Sequence, residues 1–316
     1  MKENPDGMAR MPLTAAGGMP GVLLVLLSAA SFGAMPFFAR AAYADGANVH
    51  GVLLTRFWVA GLLLLALSAW RGTAWPGRIK LAQLAALGGI GYTGMSYCYF
   101  AALNYLPAAL VALLLYAYPI MVTLLAVLFL HEKVTLLQCS ALALCAFGTL
   151  LIVGADSLTG GVPLSPLGLG LGLGAAVIYA GYITLGSSVT RQIDPVLAST
   201  VICLAAAGAF TLLALARAQL GLPTRFPDAL PGWGGLMGVA VVSTVVAVVA
   251  FFAGLKRLGA AQTAMLSTFE PVVTIALSAW LLSEPLTAWQ ALGAAATLGG
   301  VVWLAGLRQG SLESDH

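Results

Sequence analysis

The sequence predicts an all-α polytopic membrane protein of ten transmembrane helices, arranged as two inverted five-helix repeats. Three observations carry that expectation. Of the 316 residues, 60% are hydrophobic and 8% charged, with a mean hydropathy of +0.98; a soluble domain carries about 25% charged residues. Apolar runs separated by short polar breaks recur along the chain, each close to the ~20 residues that a helix needs to span hydrocarbon. The sequence also aligns with itself at an offset of 152 residues.

In order, the runs place helices at 21–40, 51–70, 81–103, 108–130, 136–153, 167–187, 195–216, 232–255, 262–282 and 289–307. They divide the chain into a tail (1–20), a first repeat (21–154), a second repeat (167–307) and a C-terminal tail (308–316). Lys2 and Arg10 before the first run, and "AAYA" at 41–44, imitate a secretory signal. That run is about 20 residues, however, whereas a signal core has about 7–15. It is therefore read as the first membrane helix.

With the N-terminus in the cytoplasm, Lys2, Arg10, Arg71, Arg78, Lys80, Lys133, Arg191, Lys256, Arg257 and Arg308 fall inside, and Arg40, Arg217 and Arg225 outside. This bias obeys the positive-inside rule. It predicts an integral protein of the cytoplasmic (inner) membrane with both termini cytoplasmic. No basic run suits nucleic acid. Cys98, Cys139, Cys145 and Cys203 lie in apolar segments without a Cys-x-x-Cys pair, and read as small packing residues.

At the 152-residue offset, Pro119 falls on Pro271, Glu132 on Glu284, Thr135 on Thr287, Gln138 on Gln290 and Gly148 on Gly300. Chance similarity between apolar segments matches Ala and Leu more readily than these. A five-helix unit is odd, so its second copy inserts upside down. Inverted repeats of this kind place substrate near the midplane, between the two halves.

The mid-helix prolines, the segments "LFLHEKVTLLQ" and "WLLSEPLTAWQ", the Gly-bearing last helix of each half, and "LLTRFWVAGLLLL" with Arg56 resemble the EamA family of the drug/metabolite transporter superfamily. The resemblance covers nearly the whole chain. It implies ten helices and transport of small metabolites, often amino-acid export, and a central cavity lined partly by helices one, three, four, six, eight and nine. It leaves the substrate open.

Glu132 and Glu284 stand at helix ends, three residues before Thr135 and Thr287, and each Thr has a Gln three residues on. That is a capping spacing, so both glutamates read as structural. Glu270 differs, because its counterpart is Tyr118. Val111, Leu115, Tyr118 and Val122 of the first half become Thr263, Ser267, Glu270 and Thr274 in the second. Spacings of 4, 3 and 4 put these polar residues on one helix face. An intramembrane carboxylate costs roughly 2.5–3.5 kcal/mol, and such residues face protein or water. Glu270 is therefore the leading site residue, as a contact for substrate or a coupling proton. A hydrogen-bonded tie between helices is the alternative. Pro271 leaves the Ser267 carbonyl without its helical donor.

Tyr92, Ser96 and Tyr99 share a face of the third helix. Tyr116 and Tyr118 lie on the fourth, Tyr179 and Tyr182 on the sixth, and Ser243 and Thr244 in the eighth. They serve either a cavity or buried packing; the resemblance favours the cavity. Phe32 and Phe37 supply apolar wall. Arg56 snorkels, ties helices or meets substrate. The candidate substrate contacts are thus Glu270, Ser267, Thr263, Thr274, Tyr118, Tyr92, Ser96, Tyr99, Tyr179, Tyr182, Thr244, Phe32 and Arg56.

Enzyme, cofactor and metal signals fail on inspection. Gly89, Gly91 and Gly94 match G-x-G-x-x-G inside an apolar span, without the strand that a dinucleotide site needs. "HEKVT" has Thr135 where a zinc motif needs its second His. The expected partners are the bilayer, a small amino-acid-like metabolite and a coupling proton. The competing function is a passive facilitator or channel.

The topology is directly testable. In right-side-out vesicles, Arg225→Cys should react with an impermeant thiol reagent and Arg78→Cys should not; the opposite pattern would overturn the inverted arrangement.

Overall fold

The computed structural model describes residues 18–102, 105–106, 108–158, 165–281 and 287–313, and among these fifteen α-helices and two π-helical turns build the chain. No strand occurs among the described residues. The first predicted helix is two segments, α1 (Gly18–Gly33) and α2 (Met35–Ala44). α3 (Val49–Trp70) follows, then α4 (Arg78–Ala86) and α5 (Thr93–Ala102), joined by a π-helical turn over Leu87–Tyr92. α6 (Ala108–Leu115) and α7 (Tyr118–Leu130) replace the fourth predicted helix, and α8 (Leu136–Leu158) ends the first half.

The second half repeats the plan. α9 (Pro166–Thr190) and α10 (Pro195–Gln219) are continuous. α11 (Leu230–Ala240) and α12 (Ala247–Leu258) flank a second π-helical turn, Val241–Val246. α13 (Ala260–Ser267) and α14 (Glu270–Leu281) replace the ninth predicted helix, and α15 (Ala288–Glu313) the tenth. α15 thus continues beyond the 307 expected for its end. Among the described residues, eight helical stretches are long and apolar enough to cross a membrane. The 136–152 part of α8 is a shorter apolar helix, and the π turn divides the Arg78–Ala102 stretch.

Proline explains two of the breaks. Pro119 and Pro271 have no N–H for the carbonyl four residues before, and their rings crowd it. Tyr116–Ala117 and Thr268–Phe269 leave the helix at the same offset of 152, closed by shorter bonds such as Ala117 N to Leu114 O (3.2 Å) and Phe269 N to Leu266 O (3.1 Å). The first helix breaks at Ala34, just before Met35 and Pro36. Its counterpart α9 stays straight. Gly33 packs this break onto another: a Cβ there would meet the Glu270 carbonyl at 2.7 Å. Thr274 Oγ1 donates to Gly33 O at 3.0 Å.

Two pairs of equivalent helices, α8 with α15 and α3 with α10, pack antiparallel, which is the geometry of an inverted repeat. In the α8–α15 pair, Cys145 Sγ reaches Thr297 O at 3.7 Å, an offset of 152. In the α3–α10 pair, Ser68 and Thr200 hydroxyls meet at 3.1 Å, while Trp58 Nε1 donates to Thr211 Oγ1 at 3.0 Å. Of the cysteines, Cys145 and Cys203 are buried, Cys98 is half-buried and Cys139 is exposed.

Both ends of the bundle are stitched across the halves. At one end, Asn48 Nδ2 donates to Pro223 O (2.9 Å) and Ala229 N donates to Asp45 Oδ2 (2.7 Å). At the other, Ala260 N and Ala261 N donate to the Glu132 carboxylate at 2.9 and 3.2 Å. Glu132 therefore caps the first turn of α13, where free N–H groups and the helix dipole favour an anion. The chain enters that turn through Gly259 at φ +82°. Thr135 and Gln138 form the expected reciprocal box, as do Thr287 and Gln290. Glu132 is structural as read, but its partner is a helix of the other repeat. Glu284 lies outside the described residues.

Losing this cap should cost about 1–2 kcal/mol, the usual range for a helix N-cap. Glu132→Ala should lower the unfolding midpoint in detergent, and Glu132→Gln should recover part of the loss through its remaining amide oxygen. An unchanged midpoint for Glu132→Ala would remove the tie.

Candidate functional site

A cavity of about 950 Å³ lies between the halves, at the level of the helix breaks. Its rim includes Arg40, Tyr43, Ala44 and Gln290, at the end stitched by Asn48 and Asp45. Arg40, Tyr43 and Ala44 are exposed, so the cavity opens there. The opposite end is packed shut around Glu132, α13 and the α1–α12 contact. The cavity is therefore one-sided.

Glu270 and Tyr116 face each other inside it. Both stand at helix breaks, Glu270 as the first residue of α14 and Tyr116 just after α6. Arg56 lines the same cavity and acts on the Glu270 carboxylate electrostatically. Among the described residues no salt bridge involves Glu270; the ion pair found joins exposed Arg71 to half-buried Asp194 at 3.6 Å.

Arg56 does not snorkel. It is 4% exposed and lines the cavity. Its Nε donates to Thr244 Oγ1 (2.7 Å), Nη2 to the Tyr92 hydroxyl (2.8 Å) and Nη1 to Met35 Sδ (3.2 Å). Thr244 and Tyr92 each sit in one of the two π-helical turns. Such turns displace a side chain from its regular register and occur often at functional sites. Thr244 also donates to Val239 O five residues back, at 2.8 Å, the wider reach of a π turn. The guanidinium is thus held by both halves at once.

The sequence-predicted residues divide in two. Glu270, Thr274, Tyr118, Tyr92, Ser96 and Tyr99 line the cavity, as do Tyr179, Phe32 and Arg56. Tyr118 and Tyr179 meet edge to face, with centroids 4.6 Å apart. The other four stand behind the wall. Thr263 and Ser267 return their hydroxyls to Gly259 O and Thr263 O, at 2.7 and 2.8 Å. The expected polar stripe is therefore interrupted: only Glu270 and Thr274, past the break, reach the cavity. Thr244 is fully buried and acts through Arg56. Tyr182 is 3% exposed, with Tyr92 at 5.5 Å and Tyr179 at 6.0 Å. Ser243 ties α1 to the π turn by donating to Ser31 O at 2.7 Å.

Met35, Arg40, Tyr43 and Gln290 line the cavity but were not among the sequence candidates. Tyr116, which the sequence marks only as a hydroxyl on the fourth helix, lines the cavity too. Its position three residues before Pro119 was the available signal. Met35 precedes Pro36 and carried a weaker one.

The comparisons agree with this architecture. A solved crystal structure superposes with a TM-score of 0.79 at 19% identity, covering 91% of this chain and 98% of its own. "Uncharacterized transporter YcbK" of Bacillus subtilis (strain 168) is 26% identical over 292 residues, spanning 90% of this chain and 91% of its own. "Uncharacterized transporter YyaM" of the same organism is 25% identical over 227 residues, covering 70% and 72%. The model of the EamA-like transporter family matches twice, over residues 19–154 and 166–306, one match for each half of the bundle. With both halves matched, this chain belongs to the EamA-like transporter family.

Proposed function

We propose that the protein is a non-enzymatic secondary carrier that exports amino acids or similar small metabolites across the cytoplasmic membrane by alternating access. In this reading ten helices cross the inner membrane, both termini are cytoplasmic, and the cavity mouth faces outward. The observation that carries it is a carboxylate, Glu270, at a broken helix inside a cavity open at one end only. Intramembrane ionisable groups in such positions mark substrate and ion paths. The one-sided opening corresponds to one of the two states that alternating access requires.

Glu270 supplies the coupling. A carboxylate accepts a strong hydrogen bond from an ammonium group. The same oxygens take a proton, and the two events exclude each other. Proton entry is then linked to metabolite exit. A passive facilitator with Glu270 as a helix tie is the competing reading, with the Tyr116 hydroxyl lining the same cavity.

Two measurements decide between them. Glu270→Gln keeps shape and hydrogen bonding, so it should fold normally yet lose net transport driven by a pH gradient in proteoliposomes, while equilibrium exchange persists. Full flux with unchanged pH dependence would return Glu270 to a structural role. Separately, Tyr118→Phe and Tyr179→Phe should weaken substrate affinity more than they lower folding yield. Variants that bind and transport like the parent would make both tyrosines packing residues.

A further inference from the structure

Arg56 is a buried cation with no carboxylate in salt-bridge contact among the described residues. Among the described residues its acceptors are two neutral hydroxyls and a thioether. Sulfur is a weak acceptor, whereas guanidinium carries five N–H donors in a planar fork. Three donors are engaged, so one N–H on each terminal nitrogen has no partner among the described residues. A buried charge whose direct contacts are all neutral is costly, and this one lines the cavity. The Phe57 and Tyr92 rings lie 5.0 and 5.7 Å from its central carbon and hold the guanidinium in place.

We propose that Arg56 is the receptor for the acid group of the transported molecule, a carboxylate that takes the terminal nitrogens in a forked pair and displaces the Met35 thioether. The proposal rests on the transport reading above and narrows it to acid-bearing substrates. An α-amino acid then spans the cavity, its carboxylate on Arg56 and its ammonium on Glu270. Met35 is the first residue after the break in the first helix. Its release frees α2, which forms part of the cavity rim, from the Arg56 wall. Substrate binding thereby reaches an element that can move.

The test uses purified full-length protein in nanodiscs, at matched ionic strength. Its unfolding midpoint is followed with isovalerate, succinate, isopentylamine and each of the twenty standard L-amino acids. At least one carboxylate probe should raise the midpoint. Arg56→Lys, which keeps the charge but loses the fork, should weaken that probe by about tenfold or more. Arg56→Gln should abolish its effect, and any isopentylamine effect should persist in both variants. Met35→Leu removes the competing acceptor and should tighten the carboxylate about twofold or more, on the argument that an unpaired buried donor gains most from a new partner. A purely structural arginine would not yield tighter binding on loss of its neighbour. If Arg56→Gln does not fold, Arg56→Lys and Met35→Leu still decide. The proposal is overturned if no carboxylate shifts the wild-type midpoint, if Arg56→Lys binds like wild type, or if Met35→Leu fails to tighten binding. Flux of a substrate without an acid group would sink this proposal and keep the carrier reading. Carboxylate stabilisation without flux would do the reverse.

Discussion

Hydrocarbon offers a peptide group no hydrogen-bond partner, so backbone that meets lipid must satisfy itself within a helix. Irregular backbone is tolerated only where protein or water can serve it. The departures from regular helix gather around one place. The breaks at Ala34, Tyr116–Ala117 and Thr268–Phe269, and the π turns over Leu87–Tyr92 and Val241–Val246, all contribute to the cavity or to Arg56 at its wall. α8, α10 and α15 have no break in their described lengths.

Symmetry built this arrangement, and its local failure gave it polarity. The prolines at 119 and 271 break equivalent helices at equivalent points. The residue before each proline differs: Tyr118 is apolar enough to pack against Tyr179, while Glu270 brings a carboxylate to the cavity. Arg56 supplies the opposite charge, without a direct salt bridge to Glu270 among the described residues. A direct pair would neutralise both groups and leave little for a ligand. Held apart, with Thr244, Tyr92 and Met35 on the guanidinium, the two groups give the cavity a direction.

The same inversion closes one end. Glu132 ends the α7 region of the first half and caps α13 of the second. The bond spans the boundary between halves, so opening that end requires breaking a charge-assisted contact. At the mouth the halves meet through Asn48 and Asp45 on loops beside the rim. A bundle bound differently at its two ends is suited to rest with one side open.

Much was legible in the chain itself. Composition and run length determined a bundle of membrane helices, because hydrocarbon sets both the required length and the required polarity. The 152-residue register exposed the two halves, since proline, threonine and glutamine do not recur at one offset through hydrophobicity alone. Glu270 stood out because a carboxylate is costly at that depth. Periodicity could not show that Thr263 and Ser267 bond their own backbone, because a Ser or Thr hydroxyl on any helix face can return to the carbonyl four residues back. Nor could it show that Arg56 turns inward, that Tyr116 and Glu270 line one cavity, or that Glu132 caps a helix 128 residues away. Those pairings join distant helices. Local sequence determines which groups need partners, but only the packing of the two halves decides which partners they find.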